Sequence, residues 1–132
     1  MADSPFYQKP QKSFRRGERR NIRPEIQAEV RYFCLPENTE TKVDACVSNI
    51  SEGGALFVTR RTGIPVGAEI RATFSLRGSG SELPITVSGK IKHSRYLEDG
   101  KYGSGAEFFD LSEEIKRKIR DFVVMEQLNE SL

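Results

Sequence analysis

Apolar and polar side chains alternate along most of this chain with the period of two that marks half-buried strands. Ala28, Val30, Tyr32 and Cys34 alternate with Glu29, Arg31 and Phe33, predicting a first strand. Pro36 to Lys42 reads as a turn or loop, and Val43 to Ile50 as a second strand with Val43, Ala45 and Val47 on one face. Ser51-Glu52-Gly53-Gly54 interrupts it, and Ala55-Leu56-Phe57-Val58 is a short buried third strand. The loop Arg60 to Gly67 leads into the clearest alternation of all, Ala68, Ile70, Ala72, Phe74 and Leu76. After the glycine–serine run Gly78 to Ser81, a fifth strand is marked by Ile85, Val87 and Ile91. Glu98-Asp99-Gly100 then turns the chain into a sixth strand around Ala106 and Phe108.

The period changes near the end. Asp110 to Glu114 supplies capping residues and first-turn acids, and Ile115, Ile119, Phe122 and Val123 recur at helical spacing, with Lys116, Arg117, Lys118 and Arg120 on the opposite face. One amphipathic helix should close the domain by laying its apolar stripe on the sheet or over a barrel mouth. The fold class expected is therefore all-β with one C-terminal helix. Six short antiparallel strands favour a closed β-barrel, because closure removes exposed edges.

Before the first strand the pattern is absent. Met1 to about Asn21 is polar, basic and without apolar periodicity, and reads as a flexible arm. Residues 12–23 carry Lys12, Arg15, Arg16, Arg19, Arg20 and Arg23 against Glu18 alone, a local +5 within a chain whose total is +2. A basic arm on a mildly acidic body points to an anionic ligand at the arm and away from general coating of nucleic acid. No stretch of this N-terminus resembles a signal peptide or an anchor, and no window has the apolar length of a membrane span. The expectation is a cytoplasmic protein without membrane insertion.

Catalytic constellations are missing. His93 is the single histidine, the carboxylates are scattered, and no glycine-rich phosphate motif follows a strand and opens a helix. Cys34 and Cys46 form neither a disulfide framework nor a metal-ligand set, and read as small core or near-core residues. Neither an enzyme nor a cofactor site is expected. Binding chemistry is better represented. Arginine forks offer paired donors to a phosphate or to O6 and N7 of guanine, and their planes stack on purines, which the point charge of lysine does not reproduce. Arg19 and Arg23 stand four apart with Arg20 beside them, although Arg15/Arg19 and Arg16/Arg20 offer the same spacing.

In Asn49-Ile50-Ser51-Glu52-Gly53-Gly54, the period of two lets Asn49 and Ser51 face one ligand with amide and hydroxyl groups. Gly53 and Gly54 would let the backbone turn with positive φ and a ligand approach closely. A simple tight turn satisfied by its own Asn and Ser is the alternative reading of this segment.

Together these residues resemble the PilZ domain family, bacterial receptor modules for cyclic di-GMP. Arg19-x-x-x-Arg23 and Asn49-x-Ser51-x-x-Gly54 match its two signatures in order. Glu18-Arg19-Arg20 is similar to its usual lead-in, Gly89-Lys90-Ile91 to its penultimate strand, and Gly105-x-x-Phe108 to its last. The resemblance implies a barrel domain with its helix over 18–125, a basic arm over 1–17 and a tail over 126–132. It implies cyclic di-GMP as the ligand, with no further cofactor. Arg19 and Arg23 are implied to serve phosphates and guanines, with Arg20 as an added contact. Asn49 and Ser51 would touch guanine and phosphate, Gly53 and Gly54 would shape the turn, and Lys92 or His93 would add a contact. Asn49 stands where many members carry Asp. An ordered arm would then signal through an unidentified effector protein, with no specific nucleic acid as partner. A barrel of this fold that has lost its ligand, or an oligonucleotide-binding barrel, remain alternatives. The latter is disfavoured because Phe33, Phe57, Phe74, Phe108 and Phe122 read as core or helix-packing residues, not as a surface stacking platform.

Overall fold

The computed structural model describes residues 26–34, 39–76 and 83–131. Six strands, β1 (Ile26–Cys34), β2 (Thr39–Ser51), β3 (Gly54–Arg60), β4 (Glu69–Phe74), β5 (Ile85–Glu98) and β6 (Lys101–Phe109), precede one helix, α1 (Glu113–Ser131). The strands form a closed antiparallel barrel in the order β1-β2-β3-β6-β5-β4, with β4 pairing back onto β1 from Ala28–Phe74 to Tyr32–Ile70. Closure gives every described strand two neighbours, which limits the aggregation hazard of an unpaired ladder.

Alternation sets what faces inward. Val30, Phe57, Ala72, Val87, Ile91 and Ala106 are fully buried in one core. Each large apolar side chain removed from water there contributes roughly 1.5–3 kcal/mol. Phe57, Phe74, Phe108 and Phe122 lie in the core as the pattern predicts. Phe33 does not: it shares the outward parity of Glu29 and Arg31 and is 55% exposed. Cys46 also faces outward, half-buried, and its sulfur accepts a hydrogen bond from the Gln27 amide at 3.4 Å.

The strands are longer than the hydrophobic runs that predict them. Thr39 to Lys42, read as loop, pair with Arg31 to Cys34 as the start of β2. Their exposed ladder is charged, with Glu29 held by Lys42 at 3.2 Å and Arg31 by Glu40 at 3.2 Å. The Asp99-Gly100 turn between β5 and β6 has both residues at positive φ, 51° and 74°, the geometry of a two-residue hairpin.

Helix α1 starts where the acids suggest. The Ser112 hydroxyl accepts a hydrogen bond from the Ile115 amide at 3.1 Å, capping the first turn. Ile119 and Phe122 join the barrel core, and the helix packs against β2. It runs past Met125 to Ser131, so the segment read as a tail forms its last turns. Beyond Met125 the helix continues without an apolar anchor in the core, which is why hydrophobic periodicity gave no sign of it.

Candidate ligand face

The end of β2 carries the second motif, and a β-bulge decides which way it points. Val47 pairs with Phe57, but the next pair is Asn49 with Leu56, leaving Ser48 as an extra residue. Were Ser48 paired regularly, Asn49 would follow Val43, Ala45 and Val47 into the core. With Ser48 bulged out of the ladder, Asn49 joins Leu56 on the outer surface and is exposed. Ile50 pairs with Ala55 and Ser51 with Gly54, so Asn49 and Ser51 share one outward face.

A second bulge lies across the sheet. On β5 Ile91 pairs with Ala106 of β6, and the next pair is His93 with Gly105, leaving Lys92 as the extra residue. His93 thereby turns outward, as does Arg95 opposite Gly103. Leu56 pairs with Gly105 and Val58 with Gly103. One row of the outer surface therefore reads Asn49, Leu56, Gly105, His93 across four strands, and the next reads Cys46, Val58, Gly103, Arg95. On the other side Ser51, Gly54, Glu107 and Lys90 form a third row.

The middle of this surface is low. Gly103 and Gly105 present no side chain, and Leu56 and Leu97 flank the first: a Cβ on Gly103 would lie 3.3 Å and 3.2 Å from their methyl groups. A floor of backbone with an apolar border, polar Asn49 and Ser51 on one bank and His93 and Arg95 on the other, suits a flat heteroaromatic ring with hydrogen-bonding edges. Lys90, Lys92 and Arg95 make the β5 bank cationic, while Lys92 is shared with Glu107 at 3.6 Å. The sequence marks Gly103 and Gly105 only through the resemblance of the last strand, and gives neither them nor Arg95 a place on a ligand face. Their signal, two glycines at alternate positions of a strand with a long cationic neighbour, is legible only once the pairing of β6 with β3 and β5 is known.

The turn after β2 is tightly held. The Gly53 amide donates to the Ser51 hydroxyl at 3.1 Å, and the Gly53 carbonyl accepts from the Phe108 amide at 2.9 Å. The hydroxyl proton of Ser51 and its second lone pair remain for a ligand. Gly53 and Gly54 act differently from the expectation that positive φ requires them: neither adopts it. Gly54 is buried where β3 crosses β6, and a Cβ there would collide with the Ala106 carbonyl. Close strand contact, not ligand approach, demands that glycine. Gly53 is exposed, and a Cβ on it would meet nothing nearer than the Ser51 hydroxyl at 3.8 Å.

Between Ser51 and Gly53 stands Glu52, and α1 reaches it. Arg120 Nε donates to Glu52 Oε2 at 2.8 Å and Nη2 to Oε1 at 3.2 Å, a two-pronged ion pair across 68 residues. The Arg120 hydrogen bond holds the Glu52 carboxyl below its ordinary range, against partial desolvation and with help from the charges of Arg120 and Lys116. Arg19, Arg20 and Arg23 lie outside the described residues. The chain enters β1 at Ile26, level with Val47 on β2 and so beside the segment bearing Asn49. Among the described residues no cluster of metal-binding side chains occurs, and no helix is long and apolar enough to cross a membrane.

Residues 14–124 match the family model described as the PilZ domain. Among solved structures, the inhibitor of motility MotI/DgrA of Bacillus subtilis is similar with a TM-score of 0.60 at 15% identity. That alignment covers 89% of this chain and 56% of the other. MrkH of K. pneumonia is similar with a TM-score of 0.58 at 18% identity, covering 86% of this chain and 52% of the other. The chain thus spans about half the length of each, and at these identities the likeness is one of fold. No curated protein sequence matches significantly.

Proposed function

The chain belongs to the PilZ domain family, and from that membership we propose that it is a receptor for cyclic di-GMP, bound between the N-terminal arginines and the outer face that carries Asn49 and Ser51. The carrying observation is the placement of Asn49 and Ser51 on one exposed face beside a glycine floor, with His93 and Arg95 opposite. Guanine has the flat ring for such a floor, and its edge offers both donors and acceptors to an amide and a hydroxyl. The phosphates of the dinucleotide call for arginine forks.

Chain geometry supports a role for the arm. Arg23 precedes Ile26 by three residues, which limits the separation of their Cα atoms to about 11 Å. Arg19 and Arg20 precede Arg23 by four and three residues in sequence, within the matched segment. In this reading Arg23 and Arg19 clasp phosphate and stack on guanine, and Arg20 adds a contact. Asn49 and Ser51 address the base edge and a phosphate, while Gly53 ties the turn through its amide and carbonyl and Gly54 lets β3 lie close against β6. Ligand pairing with the arm orders it against the barrel, and an effector protein reads the result. The protein acts as a receptor, not a catalyst.

Calorimetric titration of the purified chain with cyclic di-GMP tests this. Saturable binding is expected, lost by tenfold or more in Arg19→Ala, Arg23→Ala and Asn49→Ala, with Arg23→Lys also impaired because the fork is gone. An absence of heat at generous ligand concentrations would refute the assignment, as would binding indifferent to all three alanine variants.

A further inference from the structure

Helix α1 is tied to the barrel in two chemically different ways. Ile119 and Phe122 sink into the core, while Arg120, between them in sequence, turns aside to grip Glu52. Resting on the reading of the outer face as a cyclic di-GMP site, we propose that the Glu52–Arg120 ion pair couples occupancy of that face to the seating of α1, with Arg120 as the positioning residue.

Glu52 shares its two peptide bonds with Ser51 and Gly53, so it does not move independently of the ligand-facing hydroxyl. Ser51 is restrained through Gly53, Gly53 through Phe108, and Glu52 through Arg120. A ligand that pulls on Ser51 therefore pulls on a short chain of bonds ending on the helix. One to two turns beyond Arg120, Val124, Met125 and Leu128 stand exposed on α1. A change in helix seating changes the presentation of these apolar side chains, giving the site an outlet on the far element of the fold. Because coupling is reciprocal, whatever fixes α1 also fixes ligand affinity.

Charge supplies a second route. Glu52 is an acid beside a face that takes a doubly charged ligand, and Arg120 neutralises it. Losing Arg120 leaves that carboxylate to repel phosphate. Losing Glu52 removes the repulsion with the tether, so the two single variants have unequal consequences.

Titration with cyclic di-GMP and amide hydrogen exchange of the full chain, with and without ligand, test the coupling in the native protein, Arg120→Ala, Arg120→Lys, Glu52→Gln and the double variant Glu52→Ala/Arg120→Ala. In the native protein, ligand should slow exchange over 115–123 as well as in the barrel. Arg120→Ala should bind about fivefold more weakly, at the lower end of allosteric couplings, and α1 should cease to respond while β2 and β6 still do. Arg120→Lys should fall between them, and Glu52→Gln should lose the helix response with a smaller loss of affinity. The double variant should be better than the sum of its parts. Binding by the native chain with no change in α1 exchange, or an Arg120→Ala protein identical to native in both measurements, would overturn the coupling alone. A native chain that does not bind at all would overturn the site reading and the coupling with it.

Discussion

Asn49 and His93 stand in one cross-strand row over Gly105 because a single extra residue, Ser48 on one side and Lys92 on the other, turns each of them out of the barrel. The two bulges flank the β3–β6 pair and act as a matched set. Strict alternation would send both polar side chains into an apolar interior. Deleting Ser48 removes the extra residue and pairs Val47 and Asn49 with Phe57 and Leu56 in regular register, so Asn49 keeps its outward face and only the local kink and twist of the bulge are lost. The expected result is a urea midpoint close to native with weaker dinucleotide binding, because the kink that aims the end of β2 is gone. A Ser48→Ala variant, which keeps the extra residue, should match native in both measurements.

The two motif glycines should separate cleanly. Gly54→Ala forces a methyl group into the Ala106 carbonyl and should cost about 2–3 kcal/mol, the range of an overpacked site without room to relax. Gly53→Ala meets open space at ordinary φ and should stay within about 0.5 kcal/mol of native. Thermal or urea unfolding of the two variants checks this. Equal costs would mean that the turn, and not the β3–β6 crossing, sets the requirement for glycine.

How far the sequence speaks depends on the range of the interaction that fixes each feature. The barrel is legible because Val30, Phe57, Ala72 and Ile91 follow a local period of two, and the helix because Ile115, Ile119 and Phe122 follow a local period near four. Asn49-x-Ser51 is legible as a pair because the bulge lies before both. Which side of the sheet they occupy is not, since the bulge at Ser48 is set by pairing with β3. The place of Arg95 and the role of Gly103 and Gly105 as a floor escape notice for the same reason: only partners on β3, β5 and β6 bring them to this face. Phe33 shows the opposite failure, a residue type that suggests burial at a position whose parity forbids it.

Ser104 offers a test of how the end of the barrel is closed. Its hydroxyl is fully buried, accepts the Ile64 amide at 3.0 Å and lies 3.1 Å from the Ser94 hydroxyl. Ser104→Ala orphans the Ile64 amide and one partner hydroxyl, which should cost about 1–3 kcal/mol in urea unfolding. The loss is expected in stability with dinucleotide affinity unchanged, because Ser104 faces the core and the ligand face lies on the other side of β6. A Ser104→Ala protein that folds as well as native but binds poorly would contradict this division.

Acid should expose the Glu52–Arg120 contact. The Glu52 carboxyl is held below its ordinary value chiefly by the Arg120 hydrogen bond, so the folded chain takes up that proton less readily than the unfolded one. Its contribution to stability is therefore complete above the usual carboxylate range and is lost as pH falls through the lowered value. Arg120, raised by the same contact, keeps its charge throughout, and Lys116, Glu113 and Asp121 supply the remaining nearby charges. Glu29 is lowered in the same sense by Lys42, so the total acid sensitivity does not belong to Glu52 alone. The difference between native and Glu52→Gln isolates it. Urea unfolding across a pH series should show the two proteins apart at neutral pH and converging below about pH 4. A constant offset at every pH would mean that the contact contributes nothing that depends on the carboxylate charge.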